Sequence, residues 1–258
     1  MASITGADAP SVTVRTTLPR EPLPAHPVTK TARLLLRALT QDDLAALHEL
    51  RTNAGFMSET SLGKPDSTMA ETQASLTELI ITPSSSSSSS RPHFVFGVFV
   101  AETDELIGDA GIHTIRGGSG GGWPEIGYKL HPARWGRGYV TEAMRGILKA
   151  WWELPREEAV VEVHPCSVSS LLLSSTLPRT EGYGQEEEEE EKTKDKEERR
   201  KEVRERVVAE IASYNIGSRR VLEKLGFEHF GSWEEPDTQL HRLGQPLMLG
   251  HYVLARPA

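Results

Sequence analysis

The chain has 258 residues, a formal net charge of −8, 37% apolar and 26% charged residues. The excess of acids argues against a protein that coats nucleic acid. The lone cysteine, Cys166, excludes an internal disulfide framework and a cysteine-built zinc cluster, and no apolar run is long enough to span a bilayer. Neither an Asn-x-Ser/Thr sequon nor a secretory leader pattern occurs. Arg15 and Arg20 among serines and threonines suit a mitochondrial presequence, but Asp8, Glu21 and the prolines break the amphipathic pattern. The expected location is cytoplasmic, with the nucleus as the alternative.

The apolar share is low for a domain of this length, and four segments dilute it. Residues 1–30 hold five of the 16 prolines and read as a disordered tail. Ser84–Ser90 is a run of serine, and Gly117–Gly122 reads GGSGGG. The longest insert, roughly 164–204, starts as a Ser/Leu mixture and passes into a charged run; residues 186–206 hold 11 acids and 8 bases. Such a run buries no apolar surface and reads as a solvated helix or loop. An acidic tail for a basic partner is the functional alternative. The remainder, about 180 residues, is expected to form a single domain within 31–256.

In chain order, Ala32–Leu39 reads as a short strand. Thr40 then caps a helix with Asp42 and Asp43 in its first turn and Leu44, Leu47, His48 and Arg51 at helical spacing. A second helix covers Ser67–Ile81. Phe94–Ala101 and Leu106–Ile115 are β-type runs joined by a turn, a hairpin, and Pro124–Leu130 is a third strand. Val140, Ala143, Met144, Ile147, Leu148, Trp151 and Trp152 form one apolar stripe, the strongest helix in the sequence, ended by Pro155. Val207–Ser213 is a strand, and Asn215 caps a helix bearing Val221, Leu222 and Leu225, with Gly226 just past its end. Phe227–Gly231 and Leu247–Ala255 close the chain as strands. This order implies an α+β fold, a mixed sheet flanked by helices.

The junction from Leu130 into the helix reads His-Pro-Ala-Arg134-Trp135-Gly136-Arg137-Gly138-Tyr139-Val140. Two closely spaced glycines allow a tight turn with exposed amides, the helix behind adds its positive end, and Arg134 and Arg137 add cations. The combination suits a phosphate or pyrophosphate. It is neither a Walker A loop nor a dinucleotide fingerprint, because three residues beyond Gly138 stands Thr141.

The segments EIGYKLHPARWGRGYVTEAM and SYNIGSRRVLEKLGF, with the opening ARLLLRALTQDDLAALHELR, resemble the GNAT acetyltransferase superfamily. Within it they are similar to the branch of ribosomal-protein N-terminal alanine and serine acetyltransferases. The resemblance covers about residues 31–256 outside the inserts. It implies the GNAT fold, with a mostly antiparallel sheet, and acetyl-CoA as co-substrate with no metal. It also implies direct attack of a primary amine on the thioester in a ternary complex. The acceptor implied by the branch is a protein N-terminus; a small-molecule amine is the alternative, and a non-catalytic acyl-CoA-binding module is a reading of another class.

Carried over residue by residue, the family's pyrophosphate loop falls on Trp135, Gly136, Arg137, Gly138, Tyr139 and Val140. Trp135 replaces the usual Gln or Arg, and Val140 the usual Gly or Ala, so Val140 would push the pyrophosphate outward. The pantetheine-pairing strand falls on Lys129 and Leu130, where a backbone N–H would face the thioester oxygen. Asn215 matches a cofactor-contacting asparagine, besides being a helix cap. Ser218 matches a serine near the cofactor sulfur that would serve the departing thiolate. Glu125 matches a glutamate that in several members takes the amine's proton, a step the chemistry requires; His113 is the alternative base. Many members use a tyrosine acid where this chain has Leu222, and Tyr214 and Tyr252 are the substitutes at hand. Cys166 is given no role.

Overall fold

The computed structural model describes residues 11–58, 60–80, 93–116, 122–168 and 202–258. The serine run, most of the glycine run and most of the long insert lie outside them. The elements are β1 (Val12–Pro19), β2 (Thr29–Lys30), β3 (Leu34–Arg37), α1 (Leu44–Arg51), α2 (Ala54–Met57), α3 (Met69–Ile80), β4 (Phe94–Val100), β5 (Leu106–Thr114) and β6 (Glu125–Leu130). There follow α4 (Tyr139–Glu153), β7 (Arg156–Val163), β8 (Arg206–Ala212), α5 (Ile216–Leu225), β9 (Glu228–Pro236) and β10 (Pro246–Ala255).

Eight strands form one sheet in the order β2-β3-β4-β5-β6-β8-β10-β9. Neighbours are antiparallel except β6 and β8, which run parallel. The expected mixed, mostly antiparallel sheet with flanking helices is what the chain builds. Its elements alternate as the side chains demand. Along β8, Val207 and Ala209 pack into the core beneath α4 and α5, while Val208 faces the other way. The α4 stripe is buried at Ala143, Met144, Ile147, Leu148 and Trp151, and Leu222 of α5 joins the same core. The opposite face has two covers. Helices α1–α3 close over β3–β5 through Leu47, Leu50, Phe56, Met57 and Leu76. A two-stranded sheet of β1 and β7 closes over β8 and β10, packing Val14, Leu18, Val161 and Val163 on Val208 and Val253.

That second cover corrects the expectation of a disordered tail over 1–30. Residues 12–19 form a strand whose Val14, Thr16 and Leu18 point inward, and they pair residue for residue with 156–163. The period-2 pattern of a half-buried strand is present in VTVRTTLP, masked by the prolines that follow. Strand β7 and helix α2 are likewise additions to the sequence reading.

One buried ion pair fixes the α1–α3 cover. Arg51, at the end of α1, donates to Asp66 through Nε at 2.6 Å and Nη2 at 3.0 Å, and Thr72 adds a third bond at 2.8 Å. Burial pushes the Asp66 carboxyl up, but the hydrogen bonds from Arg51 and Thr72 and the Arg51 charge outweigh it and hold it below the usual range. A folded-state value below the unfolded one gives stability that is full above the unfolded carboxylate range and is lost as pH falls through the folded value. Asp66→Asn leaves the guanidinium buried without its counter-charge, at a cost of about 3–5 kcal/mol, or about 10 °C in Tm for a domain of this size. Thermal melts of both proteins from neutral pH down to about pH 2 check this; the loss of the native chain on acidification is expected to be shallower in the variant.

Candidate active site

The site starts where two parallel strands part. The ladder between β6 and β8 consists of the one pair Glu125/Val208, closed by the Val208 N–H on the Pro124 carbonyl at 2.9 Å. Beyond it β6 runs on to Leu130 paired with β5 alone, so an open cleft widens towards the loop that enters α4. The backbone direction along β6 can be read off. The His131 N–H donates to Ile107 O at 2.8 Å on the β5 side. Amides alternate along a strand, so the Lys129 amide also faces β5, whereas those of Tyr128 and Leu130 face the cleft. The structure therefore separates the two expected pantetheine positions. Leu130 offers its backbone to the cleft while its side chain is core. The Lys129 side chain reaches away, binding Asp109 at 2.9 Å and lying 5.6 Å from the Phe56 ring.

Above the cleft stands the glycine loop. Gly136 and Gly138 have φ of +70° and +78°, the left-handed region that side chains resist. A Cβ on Gly136 would meet nothing within 4 Å, and on Gly138 only the Arg33 guanidinium at 3.7 Å. The glycines are thus needed for backbone shape, not for lack of room. Trp135, Gly136, Arg137 and Gly138 are exposed. The Trp135 indole donates to Leu130 O at 2.7 Å, tying the loop to the end of β6. Val140 is partly buried and packs against the core beneath α4. Arg134 pairs with Glu105, leaving it less of the cationic role expected of it.

Arg33 braces this loop, a part the sequence reading missed. It donates to Arg137 O at 3.0 Å, lies 4.5 Å from the Tyr139 ring, and pairs with Glu142 at 2.6 Å. Thr31 binds Glu142 as well, at 2.6 Å. Burial raises the Glu142 carboxyl, but the bonds from Thr31 and Arg33 win and hold it below the usual range. From Gly138 a groove of about 600 Å³ runs along the outer face of α4, past Arg145, Lys149 and Lys224.

Across the cleft, Asn215 caps α5 as expected, its Oδ1 accepting the Ser218 N–H at 3.0 Å. The Tyr128 hydroxyl donates to Ser218 O at 3.3 Å, so β6 and the first turn of α5 meet across the cleft. Burial raises Tyr128 to about 12. Leu222 is fully buried, Tyr252 nearly so and Tyr214 exposed.

On the other face, between the two covers, β5 and β6 present Asp109, His113, Glu125 and Lys129 around a floor of Gly111 and Gly127, which are register partners. Glu125, half-buried, sits where the strands part. Burial lowers His113 to about 4, far from the value a base needs at neutral pH. The loop between β9 and β10 roofs this end: Gln239 Nε2 donates to Ser58 O at 2.7 Å and the Leu240 N–H to Ser61 O at 3.1 Å. Helix α2 abuts the turn that leads into the glycine loop, since a Cβ on its Gly55 would lie 2.7 Å from Pro132.

A parting of two parallel strands beneath a glycine-turned helix start, on a mostly antiparallel sheet, defines the architecture of the acetyltransferase class. The family model described as "Acetyltransferase (GNAT) domain" matches residues 33–228, and the chain belongs to that family. A curated relative, an uncharacterized N-acetyltransferase p20 of Bacillus licheniformis, is 36% identical over 85 residues, which is 32% of this chain and 46% of that protein. The match thus spans about half of the relative's length. Among solved structures, a GCN5-related N-acetyltransferase from Brucella melitensis is 17% identical with a TM-score of 0.56, covering 96% of this chain and 82% of its own. A GNAT-family acetyltransferase from Bacillus anthracis is 18% identical at 0.54, covering 89% and 99%. A ribosomal-protein α-N-acetyltransferase in complex with coenzyme A is 14% identical at 0.54, covering 88% and 97%.

Proposed function

We propose that the chain is an acetyl-CoA-dependent N-acetyltransferase acting on a primary amine, with a protein or peptide N-terminus as the acceptor. The observation that carries this is the cleft: a strand edge that offers the Tyr128 and Leu130 amides, directly below exposed amides at the positive end of α4. In this reading the backbone of Gly136–Val140 receives the pyrophosphate, the basic groove along α4 faces the cofactor's phosphates, and the pantetheine pairs with β6. The residues present fit that group.

The chemistry then follows from position. The Leu130 N–H is directed at the thioester oxygen and stabilises the oxyanion formed on attack. Glu125 takes the proton of the amine, directly or through water. Ser218, in the first turn of α5 opposite Tyr128, hydrogen-bonds the departing thiolate. Glu125 favours an acceptor that arrives as a cation. The N-terminal acceptor rests on the sequence resemblance to the ribosomal-protein branch and is shared in name with the coenzyme A-bound neighbour.

Incubation with isotopically labelled acetyl-CoA and a pool of N-terminal peptides, lysine peptides and small amines tests both levels by mass spectrometry. Label on peptide α-amines is expected. Label on small amines alone would replace the acceptor and keep the reaction; binding of acetyl-CoA with no label anywhere would favour a non-catalytic module.

A further inference from the structure

Three strands at the far end of the sheet bring together a group that the acetyl-transfer reading does not use. Glu210 of β8 stands opposite His251 of β10, and Glu235 of β9 closes from the other side. The His251 Nδ1 lies 3.7 Å from a Glu210 carboxylate oxygen and its Nε2 lies 3.7 Å from Glu235 Oε1. Both gaps are too long for hydrogen bonds. The imidazole is 1% exposed, and its Nε2 has no hydrogen-bond partner. A neutral imidazole carries a proton on one nitrogen alone, so the other aims its lone pair at a carboxylate. Two carboxylates and a lone pair at such range call for a cation between them.

We propose that Glu210, Glu235 and His251 form a binding site for a divalent transition-metal ion of the zinc type. One donor atom from each residue lies within 4.8 Å of the others. Ligands on a tetrahedral zinc, at about 2.0–2.2 Å from the ion, stand roughly 3.3–3.5 Å apart, so His251 Nε2 and Glu235 close by a few tenths of an ångström, and Glu210, which stands nearest Nδ1, closes by up to about 1.5 Å. An imidazole nitrogen with two carboxylates selects zinc-like ions over magnesium or calcium, and the two negative charges neutralise the ion. The surroundings orient the ligands. Trp233 stacks on His251 with centroids 3.7 Å apart and donates its indole N–H to Glu235 Oε1 at 2.5 Å, as outer partners of metal ligands do. Glu210 and Glu235 are 18% and 25% exposed, which leaves an entry path and a fourth position for water. The ion clamps β8, β10 and β9 together at the base of the β9–β10 loop. It takes no part in acetyl transfer.

The test uses the full chain, stripped of metal by a chelator and free of coenzyme A, titrated with zinc against a chromophoric chelator. One tightly held zinc per chain and a zinc-dependent rise in Tm are expected. His251→Gln is expected to weaken binding at least about tenfold, and Glu235→Gln, at a partly exposed side chain, to do the same in a chain that still folds. No stoichiometric zinc in the parent protein overturns the site, as does unchanged affinity in Glu235→Gln.

Discussion

Valine at both Gly136 and Gly138 is expected to weaken acetyl-CoA binding at least about 100-fold while the far-ultraviolet circular dichroism stays as it is. Neither position is crowded, as the empty surroundings of a Cβ at Gly136 show, so the fold has no steric reason to fail. The cost lies in the backbone. Holding a non-glycine residue in the left-handed region costs roughly 1–2 kcal/mol per position, and a β-branched one resists further. The loop escapes this strain by leaving that region, which turns amides away from the cradle, and the new side chains stand where a phosphate would approach. Two such costs, about 2.7 kcal/mol together, correspond to the stated factor. Isothermal titration with acetyl-CoA reads it directly. An unchanged affinity would move the phosphates away from this loop, with the basic groove along α4 as the remaining place for them.

The second large effect is at Glu125. Glu125→Gln keeps the size of the side chain and removes its capacity to hold a proton. If Glu125 takes the amine's proton, kcat falls by about 10²–10⁴, KM for acetyl-CoA holds, and raising the pH restores part of the rate because more acceptor is already deprotonated. Steady-state kinetics across pH separate this from a structural role, in which Tm drops and kcat does not. His113 is a poor understudy, because burial holds it at about 4.

Much of this geometry is written locally in the chain. The α4 stripe, the Asn215 cap and the glycine pair each depend on neighbours within a turn or two, so spacing alone reveals them. Arg33 was missed because its partners, Arg137, Tyr139 and Glu142, lie more than a hundred positions away and no local pattern marks it. No local pattern marks Glu210, Glu235 and His251 either, because they meet through strand register. Lys129 and Leu130 look alike as candidates until the His131 bond to Ile107 sets which amide faces the cleft. Strand β7 begins with Arg156, Glu157 and Glu158 and shows only Val161 and Val163 buried, a weak signal beside the charged insert that follows.

The pairing of β1 with β7 bears on how the protein is made. Val12 lies against Val163 and Pro19 against Arg156, so these partners are 137 to 151 positions apart, and contacts of such separation form late and slowly. On a ribosome β1 must wait for β2–β6 and the whole of α4 before its partner exists. Its inward valine and leucine are exposed until then, and the bracing of this end of the sheet follows the making of the strands that lie between rather than preceding it.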